Sequence, residues 1–113
     1  MSEAFNALLV ERLADPEFAR SYAAETARIT AIDAVVNQLD DAREASNLTK
    51  ARLARAIGAR PSAVRRLLSA QTVNPTLATV AELAAALGLK VTLTPMSAEE
   101  RERITKPMLA VSA

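Results

Sequence analysis

The sequence predicts an all-α protein of five to six helices ending in one short strand, and three observations carry that prediction. Half of the 113 residues are hydrophobic, and only two are Gly. Ala, Leu, Glu, Arg and Lys recur throughout, and these are good helix formers. Apolar residues return every three or four positions over most of the chain, which is the helical period. Pro or a capping polar residue opens several of these runs and Gly closes two of them, the usual punctuation of helix ends.

From the N-terminus, Phe5, Leu8, Leu9 and Leu13 form a stripe over residues 3–13. Asp15 then caps and Pro16 takes the first position of a new helix. Phe18, Tyr22, Ile29, Ile32, Val36 and Leu39 carry its stripe to about Ala45. Inside that run, Thr30-Ala31-Ile32-Asp33 resembles a capping box with Asp as the acid, so the segment reads as one helix or as two. Asn47-Leu48-Thr49 is the next break. Thr49 caps a short helix through Ile57, ended by Gly58. Pro61 opens another through about Leu68. Asn74 caps and Pro75 begins a helix to Leu87, with Gly88 behind it. From Lys90 to Thr94, Val91 and Leu93 alternate with Lys90, Thr92 and Thr94, a strand pattern that Pro95 stops. Ser97-Ala98-Glu99-Glu100 starts one more short helix, and residues 107–113 read as a frayed end. The chain divides into a helical N-terminal extension (1–31), a central domain with the strand (32–95) and a partly helical tail (96–113).

Composition also excludes chemistry. With no Cys and no His, there is no disulfide, no Cys/His zinc site and no His-based acid–base catalysis. Asp40 and Asp41 are adjacent on a helix and point apart rather than converge. No cofactor is expected, nor is an enzyme. No apolar run reaches the ~20 residues of a membrane span, and no basic-then-apolar leader is evident, so a cytoplasmic location is expected.

The net charge of +1 hides a segregation. Residues 1–42 hold eight acidic and three basic side chains, net −5. Residues 43–66 hold seven basic side chains (Arg43, Lys50, Arg52, Arg55, Arg60, Arg65 and Arg66) against Glu44 alone, net +6. Blocks of opposite sign point to surfaces with different partners.

Within the basic block the spacing has a geometry. Leu53, Ala54 and Ile57 form the inner face of one helix; Val64, Leu67 and Leu68 form the inner face of the next. The small Ala54 permits a close crossing, and Gly58 supplies the positive φ of a tight turn. That is the packing of a helix-turn-helix, although the same spacing also occurs in plain helical hairpins. The second helix then turns Ser62, Arg65, Arg66 and Ser69 outward. Arg can hold guanine through two hydrogen bonds and Ser can donate or accept, so Ser62 and Arg66 are the candidates for base edges. Arg65 suits either a base or a phosphate. Lys50, Arg52 and Arg55, beside the helix N-termini, suit phosphate, which positions a protein on DNA without specifying sequence.

The segment LTKARLARAIGARPSAVRRLLSAQTVNPTLATVAELAAALGLKVTL, residues 48–93, resembles the Cro/CI-type (Xre) helix-turn-helix family. Its end, NPTLATVAELAAALGLKVTL, and the upstream LADPEFARSYAAE are similar to HigA-type antitoxins of that family. Three positions depart from the family pattern. Lys50 stands where many members have Gln, Pro61 where a Gln reader is common, and Ser69-Ala70 where Asn or Gly is frequent. The resemblance implies a Cro/CI-like fold, with Asn74 and Thr76 as phosphate contacts, although both also suit capping. Together with the outward face it gives a candidate DNA-contacting set of Thr49, Lys50, Arg52, Arg60, Ser62, Ala63, Arg65, Arg66, Ser69, Asn74 and Thr76.

Two protein partners are also expected. A single strand needs a mate. Antiparallel pairing of Lys90, Val91, Thr92, Leu93 and Thr94 with the same residues of a second copy would give a homodimer. Its two reading helices would sit ~34 Å apart on a palindromic operator. The alternative is an extended segment lying on its own core. HigA-type antitoxins pair with a RelE/HigB-like ribonuclease toxin, a basic partner suited to the acidic N-terminal region. The resemblance thus implies a toxin-facing set of Phe5, Leu8, Leu9, Glu11, Asp15, Glu17 and Phe18. Equally, the apolar members of that set extend the protein's own core. The function expected is a repressor that is also an antitoxin and regulates its own operon. Alternatives are a free-standing Xre-type repressor and a helical adaptor that binds protein only.

Overall fold

The computed structural model describes residues 2–69 and 74–110, and its described residues are helical with no strand among them. Helices α1 (Glu3–Leu13) and α2 (Pro16–Ala45) come first. Three short helices follow: α3 (Lys50–Ala56), α4 (Pro61–Leu68) and α5 (Leu77–Ala86). The chain then runs without regular structure to α6 (Ala98–Glu100), a π-helical turn (Arg101–Thr105) and α7 (Lys106–Ala110). No described helix is long and apolar enough to cross a membrane.

The chain folds as two compact units. One comprises residues 31–93. Val36 and Leu39 of α2, Leu53 and Ala54 of α3, Val64, Leu67 and Leu68 of α4, and Val80, Leu83 and Ala84 of α5 make its buried core. Ile32, Val35, Ile57, Ala59 and Leu87 pack against the outside of that core. Both inner faces expected for the central helix pair therefore point inward. Residues 1–30 and 94–113 form the other unit. Among its described residues only Ala23 and Ile104 are buried hydrophobics, and α1 buries no side chain.

Local chemistry accounts for the helix ends. Ser2 Oγ accepts the Phe5 N–H at 3.1 Å and opens α1. Asp15 Oδ1 accepts the Glu17 N–H at 3.0 Å ahead of Pro16. Thr49 Oγ1 accepts the Arg52 N–H at 3.1 Å and opens α3. In α2 the residues 30–33 lie within one continuous helix. No Gly or Pro occurs between residues 17 and 57, and the stripe through Ile32, Val36 and Leu39 runs on without a phase break.

Three helices end alike, on a left-handed residue that lets its own N–H and the next one turn back to the last helical carbonyls. Asn47 (φ 55°) does this for α2, Gly58 (φ 69°) for α3 and Gly88 (φ 76°) for α5. At α3, the Ala59 N–H reaches the Ala54 carbonyl at 2.8 Å and the Gly58 N–H reaches the Arg55 carbonyl at 3.2 Å. A Cβ at Gly58 would meet nothing within 4 Å, so the cost of Gly58→Ala is backbone strain alone. Thermal or urea unfolding of Gly58→Ala should show a loss of about 1–2 kcal/mol. A loss well above that would mean a steric conflict that the open space around Gly58 excludes.

Three expectations need correction. First, residues 90–94 are not a strand but irregular chain, with Leu93 98% exposed. A strand is defined by a ladder, and the described residues of a single chain offer this segment no second strand to pair with. Second, α5 starts at Leu77 with Thr76 as its cap, not at Pro75 behind Asn74. Thr76 Oγ1 accepts the Thr79 N–H at 3.1 Å and lies 2.9 Å from Thr79 Oγ1, two bonds that one hydroxyl gains by capping there.

Third, the C-terminal segment is helical as far as Ala110 rather than frayed from Pro107; residues 111–113 of that tail lie outside the described residues. A helix-interior proline has no N–H and its ring collides with the carbonyl four residues back. Here the collision would fall on Arg103, inside the wider π turn, and the Lys106 N–H bonds the Arg101 carbonyl five residues back. Ahead of this turn Ser97 and Glu100 form a reciprocal capping box. The Ser97 backbone N–H, at 3.0 Å from Glu100 Oε1, is the main cause of a Glu100 pKa below the usual carboxylate value.

Candidate nucleic-acid interface

Helices α3 and α4 pack against each other, and their crossing fixes what α4 presents outward. Ala54 is fully buried at the crossing, and Leu53 is 1% exposed. With Val64, Leu67 and Leu68 turned into the core, the 3.6-residue repeat places Ser62, Arg66 and Ser69 on the opposite side. Arg65 and Ala63 fall on the two flanks of that stripe. All five are exposed.

Among these, Ser69 is already engaged: its Oγ donates to the Arg66 carbonyl at 2.8 Å. That bond turns the hydroxyl back onto the end of α4, whereas Ser62 and Arg66 have no side-chain hydrogen bond among the described residues. Arg60 is the N-cap residue of α4 but makes no side-chain capping bond, which leaves its guanidinium exposed at the start of the helix.

At the start of α3, Thr49 Oγ1 accepts the capping bond, and its O–H takes no part in that bond. Lys50 is half-buried, whereas Arg52 and Arg55 are exposed. Asn74 and Thr76 are exposed before α5, and Thr76 has the capping role given above. Among the described residues, Lys50, Arg52, Arg55, Arg60, Arg65 and Arg66 take part in no ion pair. The arginines and lysines that do pair lie elsewhere: Arg20 with Glu17, Arg28 with Glu25, Arg43 with Asp40 and Glu44, and Lys106 with Glu102. Among the described residues, the positive charge of α3 and α4 is thus left without an acidic partner. Like charges on one pair of helices repel and are relieved by a polyanion.

Arg43 is the exception within the basic block. Its side chain is only 15% exposed. Nε donates to Asp40 Oδ1 at 2.8 Å, and Nη1 donates to the Leu48 carbonyl at 2.8 Å. Arg43 therefore ties the end of α2 to the loop that leads into α3. A tally of charge along the sequence counts it with the DNA-facing cations; the structure makes it a brace. The Asp40/Arg43 spacing of three on a helix was a readable sign of that pair, but the carbonyl it also holds was not.

In the N-terminal unit the seven residues expected to face a protein partner divide by type. Phe5, Leu8, Leu9 and Phe18 line one shallow apolar groove together with Arg12 and Tyr22. Phe18 and Tyr22 stack with ring centroids 6.1 Å apart, and the Arg12 guanidinium lies 6.0 Å from the Phe18 centroid. Phe5 is 48% exposed and Leu8 50%, so neither is a core residue here. Of the acidic members, Asp15 caps α2 and Glu17 pairs with Arg20 at 2.6 Å. Glu11 is exposed.

Residues 34–95, more than half of the chain, match a family model described as a helix-turn-helix domain. No curated protein and no solved structure matches the chain.

Proposed function

Because the chain belongs to the helix-turn-helix domain family, we propose that it is a sequence-specific DNA-binding transcriptional repressor, cytoplasmic and without catalytic activity, that acts as a homodimer on a palindromic operator. The observation that carries this reading is the outer surface of α3 and α4. Six cations stand there without an acidic partner among the described residues, beside a short helix whose outer stripe is free for base edges. Phosphate neutralisation accounts for affinity and the α4 stripe for choice of sequence. The exposed apolar residues of 89–93 support the dimer. Pairing of Val91 and Leu93 across a two-fold axis removes them from water and sets the two α4 helices about one DNA turn apart.

The test is fluorescence anisotropy of the purified protein on duplex DNA from upstream of its own gene, beside a scrambled duplex, over a salt series. The expected result is selective binding whose log K falls linearly with log salt, with a slope up to about −5 per protomer if all six cations reach phosphate. Equal binding to both duplexes, or none, removes the reading and leaves a protein-binding adaptor.

A second role, as antitoxin, is supported by the N-terminal groove. Phe5, Leu8 and Tyr22 are large apolar side chains left in water, and a contiguous apolar patch with a polar rim suits a protein partner. On the resemblance of this region to HigA-type antitoxins, we assign the groove to a basic RelE/HigB-like ribonuclease toxin. The complex would then regulate its own operon. A neighbouring reading frame for a small basic ribonuclease separates this from a free-standing repressor.

A further inference from the structure

We propose that the operator half-site is built around a guanine that Arg66 reads in the major groove, and that α4 carries no side chain that reads adenine or cytosine directly; this rests on the DNA-binding reading above.

The fixed geometry of the α4 surface lets chemistry eliminate the alternatives. Adenine is specified through its N6 and N7 by the side-chain amide of Asn or Gln, and cytosine through its amino group by Asp or Glu. Helix α4 has the sequence PSAVRRLL and contains none of these four residue types. Val64, Leu67 and Leu68 are buried and unable to reach a base. Pro61 has no N–H to offer, and Ser69, just past the helix, has its hydroxyl bonded to the Arg66 carbonyl. The groups left are the Ser62 hydroxyl, which discriminates weakly because it both donates and accepts, the Ala63 methyl, and two guanidinium groups.

Arg66 lies in the middle of the outer stripe, directly opposite the buried face, one turn beyond Ser62. Arg65 lies on the flank, where a side chain meets the wall of a groove rather than its floor. The guanidinium fork matches O6 and N7 of guanine, and no other base presents two adjacent acceptors in the major groove. Arg66 is thus the reader and Arg65 a phosphate contact.

The operator is found and tested in one experiment. The full chain is used to select bound duplexes from a pool with a randomised core. Each guanine of the selected half-site is then replaced in turn by 7-deazaguanine, which lacks the N7 acceptor but pairs normally. One position per half-site should weaken binding about tenfold. Arg66→Ala should weaken the unmodified duplex by a similar factor and be indifferent to 7-deazaguanine at that same position. Arg66→Lys keeps the charge but loses the fork. It should retain the salt slope while its preference for guanine over adenine falls. Arg66 is exposed, and an unchanged circular dichroism spectrum and melting curve verify that the variants fold. A selected half-site without guanine, or 7-deazaguanine and Arg66→Ala effects that multiply as independent losses, overturns the inference while DNA binding stands. A pool that shows no enrichment at all removes the inference together with the DNA-binding reading.

Discussion

Leu83→Ala is expected to remove about 2–5 kcal/mol of stability from the helix-turn-helix unit. Leu83 is 0% exposed, at the centre of a core to which α2, α3, α4 and α5 all contribute. Truncation loses the transfer free energy of three carbons and leaves a cavity that four helices cannot all collapse to fill. The unit has few large side chains to share the loss. Leu53, Leu83 and Val36 are the largest fully buried ones, so one deletion removes a sizeable share of the core. For a unit this small, each kcal/mol shifts the melting temperature by roughly 4–8 °C. The comparison is Leu77→Ala in the same helix. Leu77 is 72% exposed, and its truncation should stay within about 0.5 kcal/mol. Urea unfolding followed by circular dichroism reads both. Near-equal losses at Leu83 and Leu77 would mean that α5 is not anchored through Leu83.

Much of this arrangement was legible in the sequence because it is set locally. Thr49 before a helical run, Pro61 at a first position, and Gly58 and Gly88 just past a last turn each impose a backbone state whatever surrounds them. The inner stripes of α3 and α4 were legible for the same reason: three or four apolar residues at helical spacing leave one way to bury them. The errors came where two local solutions compete. Asn74 and Thr76 are both good caps two residues apart, and the extra bond between Thr76 and Thr79 favours the later one. At residues 90–94 alternation over five positions describes a face, but a ladder needs a second strand and alternation cannot supply it. Residues 107–113 read as a frayed end because chain ends usually are; the π turn before Pro107 relaxes the α-helical spacing that the rule against helix-interior proline assumes, and lets the helix run on to Ala110.

Of the candidate site, the outward stripe could be read from periodicity, but what each side chain was free to do could not. Ser69 donates to the Arg66 carbonyl, and Arg43 holds the Leu48 carbonyl as well as Asp40. The bond to Leu48 depends on how a loop returns, not on residue type.

That difference between a cation that is free and one that is spent gives the second large effect. Arg65→Ala/Arg66→Ala should lower affinity for the selected duplex by roughly 100-fold at moderate salt, from one lost base contact and one lost phosphate contact of about 1.4 kcal/mol each. The salt slope should become shallower by about 1, for the phosphate contact alone. Its stability should be unchanged, because both side chains are exposed and unpaired among the described residues. Arg43→Ala should behave in the opposite way. It strands the Asp40 carboxylate and the Leu48 carbonyl, each bonded at 2.8 Å to a side chain only 15% exposed. Charged hydrogen bonds of this kind are worth about 1.5–3 kcal/mol, so the unit should melt earlier. Well below that melting temperature, its salt slope on the same duplex should equal that of the unaltered protein, since Arg43 neutralises no phosphate. Anisotropy over a salt series, with a melting curve for each variant, separates the two effects. A shallower slope for Arg43→Ala would show that this arginine leaves Asp40 to reach DNA, and an unchanged affinity for the double variant would remove α4 from the interface.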